Sequence, residues 1–358
     1  MKSLSYKKIR RWAIAMIALG LLVGGMGPAP QASAATLSVC ASGCSFSTIQ
    51  TAIAAATPQD TISIGPGAYV GPIVVTKNLR LIGSGAKLTT IFGGVIAVGL
   101  SNVTLEGVTI SKGLNGLELR NAAVVNATDI VIAGNAANGV ALFGDSALSL
   151  ISSVITKNGI SILGNPIGSG IAARNSARIN VFNIVITENG ADGISLLDDA
   201  SANISLLTSI SKNGLDGVQL GGRSRATIDS LNSSGNALYG LAIEDNSQAT
   251  VSGSEFSSNG KAGIHIGGPS STLVGGSTLT DPPVTATATI TSTTVSGNAI
   301  GILIGDLSKQ RESANVTLRS VLVEKSSVCG VLIDPQAPKI VTMSDMSFSD
   351  NAQDKCSS

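Results

Sequence analysis

Aromatic residues make up only 3% of the chain: one Trp, three Tyr and six Phe in 358 residues. Trp12 and Tyr6 fall in the first 34 residues, so the rest of the chain can neither fill a deep core with rings nor offer indole platforms for stacking sugars. Charge is scarce too, at 13% of residues, and there is a single histidine, His265. A metal site built from several imidazoles is thereby excluded, and no metal or cofactor is expected. No apolar run after residue 34 is long enough for a membrane span.

The start of the chain reads as a targeting segment. Lys2, Lys7, Lys8, Arg10 and Arg11 precede an apolar run from Trp12 to Met26, and Ala32-Ser33-Ala34 gives a small-residue cleavage pattern. A signal peptide over 1–34 is expected, with an exported, secreted product. This leader holds five of the 23 Lys and Arg and none of the 22 Asp and Glu, which leaves the remainder at −4. Nothing basic enough to neutralise phosphates remains, so nucleic acid is not an expected partner.

Glycine is abundant, at 42 residues, and it recurs in phase. The segments "NGLEL", "NGVAL", "SGIAA", "DGISL", "DGVQL", "YGLAI", "AGIHI", "IGILI" and "CGVLI" place glycines at 116, 139, 170, 193, 217, 240, 263, 301 and 330. The commonest spacing is 23, with enlarged units near 160–167, 267–283 and 306–313. A second column holds Asn135, Asn158, Asn189, Asn213, Asn236, Asn259 and Asn298, with Asn351 beyond. Three residues before these asparagines the position is mostly apolar (Ile132, Ile155, Ile186, Ile210, Phe256, Val295), with Ser233 the exception. Short alternating strands stacked once per repeat account for this, because one such coil cannot bury enough surface alone. The pattern predicts an all-β solenoid, a parallel β-helix of about a dozen coils of ~23 residues. Its asparagines would form an interior ladder and supply left-handed corners.

The stretch "FSTIQTAIAAATPQDTISIGPGAYVGPIVVTKNLRLIGSG" (46–85) resembles the front of the pectin-lyase-like superfamily of secreted right-handed parallel β-helices. The resemblance implies a short amphipathic capping helix ("STIQTAIAAAT") followed by a first coil from Asp60 to Tyr69. The expected organisation is a leader (1–34), a disulfide loop and capping helix (35–59), the β-helix (60–351) and a tail (352–358). Cys40 with Cys44, and Cys329 with Cys356 one coil apart, are expected to form structural disulfides.

Candidate chemistry centres on carboxylates. Asp198 and Asp199 fall in a turn column, and the polygalacturonase branch's other elements are missing. Asp192 and Asp216 share a column one coil apart, near the separation retaining glycosidases use, and proximity would raise one pKa. Their plain reading is that Asp-Gly makes a good corner. Arg223 is the cation for a pectate-lyase-like site, but no acidic cluster accompanies it in the repeat. Asp281-Pro282-Pro283 lacks the His of the epimerase branch's motif. His265 is expected on the surface of its strand. Thr227, Thr250 and Thr289 share a column, interrupted by Asn126, Ser149 and Asn180, which argues against a regular ice-binding face.

These readings favour a secreted, monomeric, non-catalytic scaffold or glycan-binding protein whose partner is an extracellular polysaccharide or cell surface. The alternative is a polysaccharide-active lyase or glycosidase at Asp192, Asp216 and Arg223, and the enlarged units are the expected seats of binding.

Overall fold

The computed structural model describes residues 33–159, 167–268, 285–305, 313–335 and 339–357. The expected leader and the three enlarged segments lie outside these residues, apart from their edges. Ala35–Ser358 forms one compact unit.

Three parallel sheets wind around a common core in about twelve turns, a parallel β-helix. The first sheet has 13 strands, from Thr36–Val39 to Lys339–Ser344. The second has 12, from Ile73–Val75 to Lys355–Ser357, and contains every glycine repeat copy. The third has 12, from Gly67–Val70 to Ser347–Ser349. Equivalent residues pair coil after coil: Ile155, Ile186, Ile210, Ser233, Phe256 and Val295 form one inward column of the third sheet. Ser233 fits this core because its hydroxyl donates to the Gly240 carbonyl at 2.8 Å and accepts from Asn236 Nδ2 at 3.2 Å.

The repeat glycines are required by space. A Cβ on Gly193 would lie 2.3 Å from Ile210 Cγ2 and 2.6 Å from the Gly217 carbonyl oxygen. The asparagine column beside them is a continuous interior ladder. Asn158, Asn189, Asn213 and Asn236 each donate from Nδ2 to the next asparagine's Oδ1 at 3.0 Å. One expectation about this corner is wrong. The left-handed residue is the one before each asparagine, such as Lys157 (φ 56°), Glu188 (φ 58°) or Lys212 (φ 56°), and the asparagines themselves are not left-handed. Their amides span to the next coil, which fixes them as rungs and leaves the corner to their neighbours.

One helix, Ile49–Ala55, stands near the front. Thr48 caps it, its hydroxyl accepting from the Thr51 N–H at 3.2 Å, and Ile49, Ala52 and Ile53 are buried. The helix packs on the strands Thr36–Val39, Thr61–Ile64 and Ile73–Val75. Lys77 Nζ donates to the carbonyls of Ile53, Ala54 and Ala56 at 2.8–3.1 Å, where a cation favours a helix C-terminus. Cys40 is bonded to Cys44, and Cys329 to Cys356 across one coil, with Cα atoms 6.2 Å apart.

Candidate active site

In four coils the residue before the repeat glycine caps the next coil. Asn115 Oδ1 accepts the Asn138 N–H at 3.1 Å, and Asn138 Oδ1 accepts the Ser169 N–H at 2.9 Å. Asp192 Oδ1 does the same for the Asp216 N–H at 3.1 Å, and Asp216 Oδ1 for the Tyr239 N–H at 2.9 Å. Asparagine therefore performs this backbone task without charge in the preceding coils. Aspartate performs it at a cost, because Asp192 and Asp216 are only 1% and 2% exposed.

Desolvation pushes the Asp192 carboxyl up to about 7, and the Glu244 charge adds to it; the Asp216 N–H and the hydroxyls of Ser195 and Ser169 pull the other way. Burial likewise raises Asp216 well above the ordinary range, reinforced by Asp192 and Glu244 and opposed by the Tyr239 N–H and Lys261. Both carboxyls are therefore raised, Asp192 to about 7, chiefly because burial disfavours their charged forms.

A polar chain leads away from this pair along the outer side of the second sheet. Ser195 Oγ donates to Gln219 Oε1 at 3.1 Å, and Gln219 Nε2 donates to Glu244 Oε2 at 3.2 Å. Glu244 Oε1 lies 3.7 Å from His265 Nδ1, and the His265 ring stacks on Tyr239 with centroids 4.6 Å apart. His265 Nδ1 is buried and has no hydrogen-bond partner. His265 is thus not the surface residue the sequence suggests: it is 5% exposed, because the Tyr239 ring lies on it and Glu244 flanks it. Beside Asp192 a hollow of about 220 Å³ opens, walled by Phe143, Ser169, Arg174, Ser195 and Leu215.

Glu118 provides a contrast on the same outward column. It is also buried, but Arg120 pairs with it and Asn115 Nδ2 donates to it at 3.1 Å. Neither Asp192, Asp216 nor Glu244 has an arginine or lysine ion-pair partner among the described residues. The three acids act on one another through space, and the only cation among the described residues that offsets them is Lys261, which lowers Asp216 without forming an ion pair.

Arg223 does not join them. It grips Asp199 through two hydrogen bonds of 2.7 and 2.8 Å in an exposed turn, and its charge is absent from the causes that shift Asp192 and Asp216. Asp198, with φ 60°, is a turn residue whose carboxylate accepts the Asn175 N–H at 2.8 Å. The sequence reading passes over Glu244 and assigns no role to Tyr239. Glu244 lies four residues after its repeat glycine, where the preceding coils carry Phe143, Arg174, Leu197 and Gly221. An acid in that column was the available signal. Among the described residues no three His, Cys, Asp or Glu side chains are grouped to hold a metal ion. No helix among them is long and apolar enough to cross a membrane.

The profile of the right-handed β-helix region matches residues 93–214 and 169–356. The chain belongs to this family. Three solved structures share its fold at low identity. The A-module of the Azotobacter vinelandii mannuronan C-5 epimerase AlgE4 has a TM-score of 0.63 at 15% identity, covering 87% of this chain and 94% of its own. The catalytic unit of a GH87 α-1,3-glucanase from Streptomyces thermodiastaticus has a TM-score of 0.62 at 15% identity, covering 89% and 69%. Pectate lyase Pel9A has a TM-score of 0.51 at 14% identity, covering 87% and 79%. No curated protein matches by sequence. The pectin-lyase-like right-handed β-helix is therefore the fold of this chain, a fold otherwise seen here in polysaccharide-active enzymes.

Proposed function

We propose that this is an exported enzyme that cleaves a polysaccharide by general acid–base catalysis. Asp192 and Asp216 supply the proton, and Glu244 with His265 forms the complementary basic station. The observation that carries this reading is the substitution of two buried aspartates into a column where asparagine makes the same backbone contacts. A carboxyl that keeps its proton near neutrality is suited to protonating a leaving-group oxygen. The hollow beside Asp192 gives a sugar ring an approach to that carboxyl. The leader-like first 34 residues and the two disulfides support export.

Glycan binding without turnover is the second reading, and the near-complete burial of both aspartates favours it. A panel of purified polysaccharides, assayed for new reducing ends and for viscosity loss, separates the two. The expected result is cleavage of at least one polymer by the wild type, reduced by about 10²-fold or more in D216N and E244Q. Full activity in both variants would remove the site from this cluster. Binding with no cleavage by the wild type would establish the second reading.

A further inference from the structure

The first sheet turns a different surface outward. Its central outward column runs from Thr36 through Thr104, Asn180 and Thr250 to Thr342, and it holds Ser, Thr or Asn on every one of its 13 strands except the one bearing Arg80. The adjoining column reads Arg178, Ser201, Arg225 and Gln248 over four successive coils. Arg80, Arg178 and Arg225 are exposed, and none has an ion-pair partner among the described residues. No carboxylate stands on either column. Asp199, in the adjoining turn, is held by Arg223, and Asp229, on the next column over, accepts from Ser252 Oγ at 2.8 Å.

Two hollows lie on this face, and each contains one of the arginines. One, of about 200 Å³, gathers Ser201, Asn203, Arg225, Thr227, Gln248 and Thr250. The other, of about 280 Å³, gathers Gln59, Asn78, Arg80, Asn102 and Thr104. Both present a guanidinium among side-chain amides and hydroxyls, a donor set suited to a carboxylate or sulfate with neighbouring hydroxyls. Arg178 and Arg225 are two coils apart, roughly 10 Å at the strand spacing of a sheet.

We propose that the outer face of the first sheet is a second glycan-binding surface, which takes an extended acidic polysaccharide along the coil axis with its anionic groups on Arg178 and Arg225. This inference is independent of the acid cluster, which lies on the second sheet. The hydroxyl and amide column would meet the polymer's hydroxyls, and the hollow around Arg225 one of its anionic substituents.

Calorimetric titration of the mature protein with linear hexasaccharides tests it, using uronate, sulfated and neutral members of matched length. Uronate or sulfated chains should bind, and whichever binds identifies the anionic group. R178Q/R225Q should weaken that binding by about tenfold or more. The same loss on adding R178Q/R225Q should appear in a D216N background, so a failed catalytic reading would not affect this result. Thermal unfolding of R178Q/R225Q should match wild type, since both side chains are exposed. Unaltered affinity in R178Q/R225Q, equal affinity for neutral chains, or equal affinity for a single-stranded oligonucleotide of the same charge would each overturn the proposal.

Discussion

Asp192 and Asp216 show how one atom changes the meaning of a position. Nitrogen in place of Oδ2 gives Asn115 and Asn138, which cap the next coil just as well and carry no charge into the interior. The Asp192 carboxyl, raised to about 7, holds a proton in the folded protein that the unfolded chain releases near pH 4. Its contribution to stability is therefore fully present below about pH 4 and is lost as the pH rises towards 7. D192N keeps the Oδ1 acceptor and abolishes the titration. We expect the stability of wild type relative to D192N to fall across that window, by up to about 1.4 kcal/mol per pH unit. Urea midpoints at a series of pH values check this, and a difference that stays flat would mean Asp192 does not hold the proton. The sequence revealed where these two residues stack but not that they are buried. Their environment depends on Tyr239, Glu244 and His265 from later coils, and no single repeat shows that juxtaposition. The corner conformation was misassigned for a related reason: asparagine is compatible with a left-handed backbone, but the ladder holds it elsewhere and the strain passes to Lys157, Glu188 and Lys212.

At the scale of elements, each strand is three to seven residues long and gains its hydrogen bonds only from the coils above and below. The ladder binds these coils at the corner between the third and second sheets. Asn213 Oδ1 accepts both the Asn189 N–H at 3.1 Å and Asn189 Nδ2 at 3.0 Å. Asn213→Ala leaves the buried Asn189 N–H without an acceptor and Asn189 Nδ2 with only the Ile155 carbonyl at 3.4 Å, and we expect a loss of about 2–4 kcal/mol. Ser201→Ala, in a half-exposed strand position, should change stability by less than about 0.5 kcal/mol. Equal denaturant midpoints for the two variants would show that the ladder contributes nothing. This part of the fold was legible because its period is written directly in residue type: a glycine that no Cβ could replace, an asparagine and an aliphatic recur in step. The capping helix was legible as well, through the family resemblance of residues 46–85. The irregular places were not. Leu206 and Leu207, both with positive φ, account for the one repeat spacing of 24 where its neighbours have 23, and no residue type announces them.

At the scale of the whole molecule, two surfaces with different chemistry are carried by one β-helix. The second sheet buries Asp192, Asp216 and Glu244, and the first displays Arg80, Arg178 and Arg225. The β-helix also protects its own covalent integrity. Asn115, Asn138, Asn158, Asn189, Asn213 and Asn259 are each followed by glycine, the pairing most prone to deamidation, in which the glycine nitrogen attacks the asparagine side-chain carbonyl. In the folded protein those six glycine N–H groups donate to carbonyls of neighbouring coils at 2.8–3.1 Å. The attacking nitrogen is thereby occupied. Ageing should therefore follow the unfolded fraction of the protein. Peptide mass mapping after prolonged incubation at mildly alkaline pH should find deamidation at these pairs in urea and almost none in buffer. Equal damage in both would show that the coils do not restrain these bonds. A molecule that unfolds even briefly would thus accumulate carboxylates in its ladder, each a permanent record of an opening that no longer heals.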